Sequence, residues 1–139
     1  MEITRATVAD DELGSAFDRL LPQLSTARPP TRAELAAIVA DAVVLIARDA
    51  GAIVGALTLT LYRIPTGLQA RIDDVVVDGA ARGRGIGEAL SREAIRIARE
   101  AGARNVSLTS RPAREAANRL YQRIGFQRLD TNVYRYPLD

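Results

Sequence analysis

The chain contains no cysteine, no histidine and no tryptophan. Without cysteine there is no disulfide, no thiolate-ligated metal and no thiol nucleophile. Without histidine, Ser-His-Asp chemistry and most zinc sites are excluded, so no metal is expected. Lysine is absent too; all 19 basic residues are arginine, which removes the lysine that a P-loop requires. Aromatic residues make up only 4% of the chain. No apolar run approaches the ~18 residues of a membrane span. The N-terminus, MEITRATVADDE, has neither the basic start nor the apolar stretch of a signal peptide. These absences predict a cytoplasmic protein with no membrane partner. What is present suits one domain over residues 1–139: 47% hydrophobic and 26% charged, with length enough for a proper core.

The net charge of +2 hides a division. Residues 1–79 hold 7 Arg against 11 acidic residues, a balance of −4, and residues 80–139 hold 12 Arg against 6, a balance of +6. A basic C-terminal half suits a polyanion, and an acidic N-terminal half suits a cationic amine. Nucleic acid is the weaker candidate for the polyanion. Arginines alternate with glutamates at helical spacing, as in Glu88/Arg92 and Glu115/Arg119, rather than forming a bare cationic stripe.

The periodicity predicts strands at 2–7, 43–48, 52–62, 70–77, 105–109, 126–128 and 132–136. It predicts helices from Asp10 or Asp11 to Leu21, from the capping box Thr31-x-x-Glu34, over 85–101, and from Ser110 to Ile124. Ile86, Leu90, Ala94, Ile97 and Ala101 form the expected buried stripe of the third helix, and Ala113, Ala117, Leu120 and Ile124 that of the fourth.

Residues 75–90, VVVDGAARGRGIGEAL, carry the clearest functional signal. A β-branched strand runs into a glycine-rich turn and then a helix N-terminus. The first N–H groups of a helix lack partners within it, and its dipole favours an anion. Gly83, Gly85 and Gly87 let the main chain approach phosphate, and Arg82 and Arg84 add forked donors. A dinucleotide fingerprint needs a third glycine where Glu88 stands. The spacing Arg82-x-x-Gly85-x-Gly87 instead resembles the coenzyme A diphosphate loop of the GNAT family of N-acetyltransferases. Residues 117–126, ANRLYQRIGF, are similar to that family's Tyr-x-x-x-Gly-Phe signature.

The resemblance implies an α/β (α+β) fold: a mixed, mostly antiparallel sheet of six to seven strands flanked by four helices. It implies that strands 70–77 and 105–109 splay apart to admit acetyl-CoA. The activity implied is acetyl transfer from acetyl-CoA to a primary amine, directly in a ternary complex. The short chain leans toward a small-molecule acceptor. A protein N-terminus or lysine as acceptor, and a non-catalytic acyl-CoA sensor, are the alternatives. Relatives often pair, which makes a homodimer the oligomer to test.

The family pattern also implies roles. Val75, Val76 and Val77 would hold the pantetheine arm by their main chain, with the Val75 N–H facing the thioester oxygen. Their side chains serve equally as core. Arg82, Gly83, Arg84, Gly85, Ile86 and Gly87 would hold the diphosphate. Tyr121 stands where the family often keeps a general acid; otherwise it is a half-buried helix residue. Asp73 is the candidate base, or attracts the ammonium, or pairs with Arg71. Strict alternation puts it on one face with Val75 and Val77, a parity that a bulge would scramble. Where many members have asparagine this chain has Arg114, and Asn118 either serves the pantetheine arm or lies exposed.

Overall fold

The structure is a computed structural model and describes residues 1–138. The chain forms two compact units, Met1–Thr109 and Ser110–Asp139. The first unit holds a five-stranded sheet in sequence order: β1 (Glu2–Arg5), β2 (Val43–Asp49), β3 (Ala52–Ile64), β4 (Gly67–Val77) and β5 (Val106–Ser107). The first four strands are antiparallel, and β5 runs parallel to β4. Three helices belong to this unit: α1 (Asp11–Leu20), α2 (Arg32–Asp41) and α3 (Ile86–Ala101). The second unit holds α4 (Glu115–Ile124). No helix among the described residues is long and apolar enough to cross a membrane.

Local chemistry explains the helix ends. Asp10 accepts the Leu13 N–H at 2.9 Å and starts α1, which gives way at Pro22 to a short 3-10 turn. At α2 the capping box is complete: the Thr31 hydroxyl accepts the Glu34 N–H at 3.2 Å, and the Glu34 carboxylate accepts the Thr31 N–H at 2.8 Å. Gly102 ends α3 and Gly125 ends α4, both in the left-handed region that glycine tolerates.

The sheet buries both faces. Leu13, Phe17 and Leu20 of α1 and Leu35 and Val39 of α2 join Val44, Ile46, Ala56 and Val76 in one cluster. Gly55 points to the opposite face, where α3 lies. A Cβ there would meet Ile86 Cγ2 at 3.1 Å, the Val76 carbonyl oxygen at 3.2 Å and Leu90 Cδ1 at 3.3 Å. A side chain here would press on the first turn of α3, and its neighbours would have to give by a few tenths of an ångström.

Several expectations need correction. The sheet has five strands, not six or seven, and residues 126–136 form no strand. Leu129, Val133, Tyr134 and Tyr136 there are 70–88% exposed. Runs of three and five residues carry only local propensity, which does not hold a strand without a sheet edge to pair with. Helix α4 begins at Glu115 rather than beside Ser110. Arg111 precedes Pro112 and is barred from helical backbone, so a turn from Arg111 to Arg114 comes first, with Arg114 N–H on the Arg111 carbonyl at 3.0 Å. Ala113 is therefore exposed, and no residue of α4 is fully buried. In α3 the buried stripe is Ile86, Leu90, Ala94 and Ala98, while Ala101 is exposed.

Gly55→Ala is expected to destabilise the protein by about 1–3 kcal/mol, as overpacking does. Urea unfolding of the purified variant checks this, and an unchanged midpoint would show that α3 can lift without cost.

Candidate active site

The turn between β4 and α3 is built in steps. The Asp78 side chain accepts the Ala80 N–H at 3.1 Å, and Ala81 N–H bonds to the Asp78 carbonyl at 2.8 Å. Buried Ala81 anchors this bend. Gly83 (φ +81°) and Gly85 (φ +76°) then take left-handed backbone, which costs other residues about 1–2 kcal/mol. A Cβ at either would meet nothing within 4 Å, so the turn is open on its outer side. The first ladder bond of α3 runs from Ala89 N–H to the Gly85 carbonyl at 3.0 Å. The N–H groups of Ile86 and Gly87 precede that ladder and have no partner in the helix.

The two arginines of this turn are already engaged. Arg82 Nε donates to the Val77 carbonyl at 3.3 Å, fixing the end of β4. Arg84 Nη1 donates to Asp49 Oδ2 at 2.7 Å, at the tip of the β2–β3 hairpin. Sequence reasoning missed Ser91. It is fully buried, and its hydroxyl donates to the Gly87 carbonyl at 2.8 Å, bracing the first turn of α3 from within. Its place four residues after Gly87, beside the Leu90 stripe, was the available signal.

Pairing of β4 with β5 covers only Ala70↔Val106 and Arg71↔Ser107. Beyond it, Ile72–Val77 runs on with no strand on that edge among the described residues. A main chain left open there, leading into an open anion turn, fits an extended arm ending in a diphosphate.

The β4 strand contains a bulge. Thr58 pairs with Asp73 and Ala56 with Val76, so Leu57 stands opposite both Asp74 and Val75. Alternation fails as a result: Asp73 falls on the face of Val76, and Val77 pairs with Gly55 on the face of α3. The Asp73 carboxylate is taken by Arg71, whose Nε donates to both oxygens at 3.2 Å. Asp74 sits at the bulge in left-handed backbone (φ +52°), one of two such non-glycine residues described.

Asp74 also borders a cavity of about 340 Å³. Thr58 lies with it on the sheet, and Phe17, Leu24, Leu35 and Ile38 line the rest. The loop after α1 and helix α2 supply most of the wall. Arg28 and Glu34 close the rim through a two-pronged ion pair of 2.9 and 3.2 Å. Two contacts join this wall to the anion turn: Gln23 Oε1 accepts the Gly79 N–H at 2.8 Å, and Arg19 lies 3.8 Å from Asp78.

In the second unit, Gly125 turns the chain so that Phe126 N–H bonds to the Tyr121 carbonyl at 2.9 Å. The two rings then meet edge to face, with centroids 5.7 Å apart. Burial pushes the Tyr121 phenol above its ordinary value, while the charge of Arg114 pulls the other way. The phenol is protonated at neutral pH. Asn118 Nδ2 donates to the Arg111 carbonyl at 3.0 Å, so its amide secures the turn before α4.

Comparison with known proteins agrees with this geometry. Residues 11–126 match the acetyltransferase (GNAT) family. A rice protein (Oryza sativa subsp. japonica) described as a probable glucosamine 6-phosphate N-acetyltransferase is 35% identical, the match covering 91% of this chain and 81% of that one. The crystal structure of an acetyltransferase from Trypanosoma brucei is 30% identical, with a TM-score of 0.78 over 99% of both chains. A soil-metagenome aminoglycoside acetyltransferase shares the fold at 20% identity, with a TM-score of 0.84 over 99% of this chain and 96% of that one. The chain belongs to the GNAT acetyltransferase family. It is an acetyl-CoA-dependent N-acetyltransferase, and it moves an acetyl group to an amine acceptor.

The rim yields a pH prediction. Its hydrogen bond from Arg28, followed by those from the Thr31 N–H and hydroxyl, holds Glu34 down to about 2 from an ordinary 4.5. A lowered carboxyl stabilises the folded state above its unfolded value and loses that effect as pH falls through the folded one. Thermal unfolding is therefore expected to separate the parent from Glu34→Gln above pH 4.5, with the gap closing toward pH 2. A gap independent of pH would contradict this.

Proposed function

We propose that this enzyme acetylates the primary amine of a small molecule in a ternary complex. Acetyl-CoA supplies the activated thioester. The amine nitrogen bonds to the carbonyl carbon as the carbon–sulfur bond breaks; the nitrogen gives up one proton and the departing thiolate takes one. The open turn at Gly83–Gly87, continuous with the unpaired edge of β4, is the observation that carries the reading.

Each chain element then has a task. The N–H groups of Ile86 and Gly87, with the Gly83–Gly85 main chain, bind the diphosphate at the positive end of the α3 dipole. Arg82 and Arg84 add charge there: Arg82 also holds Val77, and Arg84 exchanges its contact with Asp49 for phosphate. The main chain of Val75, Val76 and Val77 aligns the pantetheine arm, and the Val75 N–H donates to the thioester oxygen as it gains charge. Tyr121 protonates the thiolate, supported by the family pattern and by a phenol that burial keeps protonated. Asn118 is assigned to the α4 turn instead of the cofactor, because its amide is already bonded to Arg111.

At the amine, Asp74 is the better placed carboxylate. It borders the cavity, whereas Asp73 is ion-paired with Arg71. Asp73 is left with the lesser task of shaping the field beside it. The two compact units serve one catalytic domain on this reading, supported by a family match that runs across both.

Tyr121→Phe is expected to lower turnover by about 10²–10⁴ while acetyl-CoA affinity is kept, as loss of a general acid does. Thiol release with a responsive amine, beside calorimetric binding of acetyl-CoA, checks both halves. Turnover equal to the parent would remove Tyr121 from the mechanism.

A further inference from the structure

The cavity beside Asp74 constrains the acceptor more closely than the family does. Phe17, Leu24, Leu35 and Ile38 give it an apolar wall, beside the polar Ser25 and Thr58. Its volume of about 340 Å³ is at the small end of ligand sites. The carboxylate bordering it, on Asp74, is held in strained left-handed backbone, a feature that clusters at ligand clamps. Of the lining residues, Arg28 alone carries positive charge. Its guanidinium is bonded to both oxygens of Glu34 and to the Pro29 carbonyl.

An anionic acceptor would therefore meet one cation, already shared with Glu34, against two carboxylates in the lining of this cavity. A phosphate placed there loses hydration and must take its one arginine from Glu34. An ammonium on an apolar body meets the reverse: a carboxylate for its charge and apolar walls for its carbon atoms. We infer that the acceptor is an apolar primary amine without an anionic group, seated in this cavity with its ammonium on Asp74. This rests on the acetyltransferase reading above, and it sets the chain apart from the sugar phosphate named for its rice relative.

The test compares phenethylamine and hexylamine with glucosamine 6-phosphate as acceptors of the full chain, following thiol release at saturating acetyl-CoA. Thermal shift with acetyl-CoA alone runs beside it. The kcat/KM of at least one apolar amine is expected to exceed that of the sugar phosphate about 100-fold, the scale at which an apolar pocket rejects a more polar analogue. Asp74→Asn keeps a residue that tolerates left-handed backbone. It is expected to raise the amine KM about tenfold, as loss of one close charge does, with the KM for acetyl-CoA unmoved. Ile38→Ser, at a partly exposed wall position, is expected to raise the same KM with no fall in melting temperature. Preference for the sugar phosphate overturns the inference. So does failure to acetylate either apolar amine while acetyl-CoA still raises the melting temperature, an outcome that leaves the acetyltransferase reading standing. No thermal shift with acetyl-CoA defeats that reading itself, and the inference falls with it.

Discussion

The arrangement depends on how closely the first turn of α3 rests on the sheet. Gly55 removes the side chain that would stand between Ile86, Leu90 and the Val76 carbonyl. The helix start is thereby held against the end of β4, and Ser91 ties the same turn from inside. This contact fixes the position of the helix start, whose leading N–H groups, positive dipole end and open glycine turn make the anion site. Were α3 to lift, the donors would separate from the strand edge proposed to align the rest of the cofactor.

The second constraint is the bulge in β4. One extra residue opposite Leu57 changes which side chains share a face, and it brings Asp74 to the cavity. The strain is local, since an αL aspartate costs less than most residues there. Contacts from Gln23 to Gly79 and from Arg19 to Asp78 then join the cavity wall to the turn that begins the anion site. The proposed acceptor and cofactor regions of the first unit thus share a frame, although they lie on separate stretches of chain.

Much of this was legible in the sequence because it rests on local chemistry. The capping box at Thr31 and Glu34, the stop at Pro22, and the helix ends at Gly102 and Gly125 all require particular residues at fixed offsets. The glycine turn was legible for the same reason. The bulge was not, because register is decided by pairing with β3, and no residue of β4 announces it. That is why Asp73 stood out in the sequence while Asp74 borders the cavity. The start of α4 was misplaced by crediting Ser110 as a cap over the constraint Pro112 sets on Arg111. The two short C-terminal strands expected there complete the family's element order, yet residues 126–136 have no ladder partner among the described residues. The pairing of Tyr121 with Phe126 was visible only as a motif; its physical content is a left-handed glycine that brings two rings edge to face.

The central claim is that the α3 N-terminus and the Gly83–Gly85 main chain grip a diphosphate. Titration calorimetry with acetyl-CoA and with S-acetyl pantetheine, which lacks the nucleotide and its diphosphate, tests it most directly. Two charge-assisted hydrogen bonds of about 1.5–3 kcal/mol each predict a preference for acetyl-CoA of about 100-fold or more. Gly85→Val, barred from left-handed backbone, should erase most of that preference. Equal affinity of the parent for the two compounds would contradict the account.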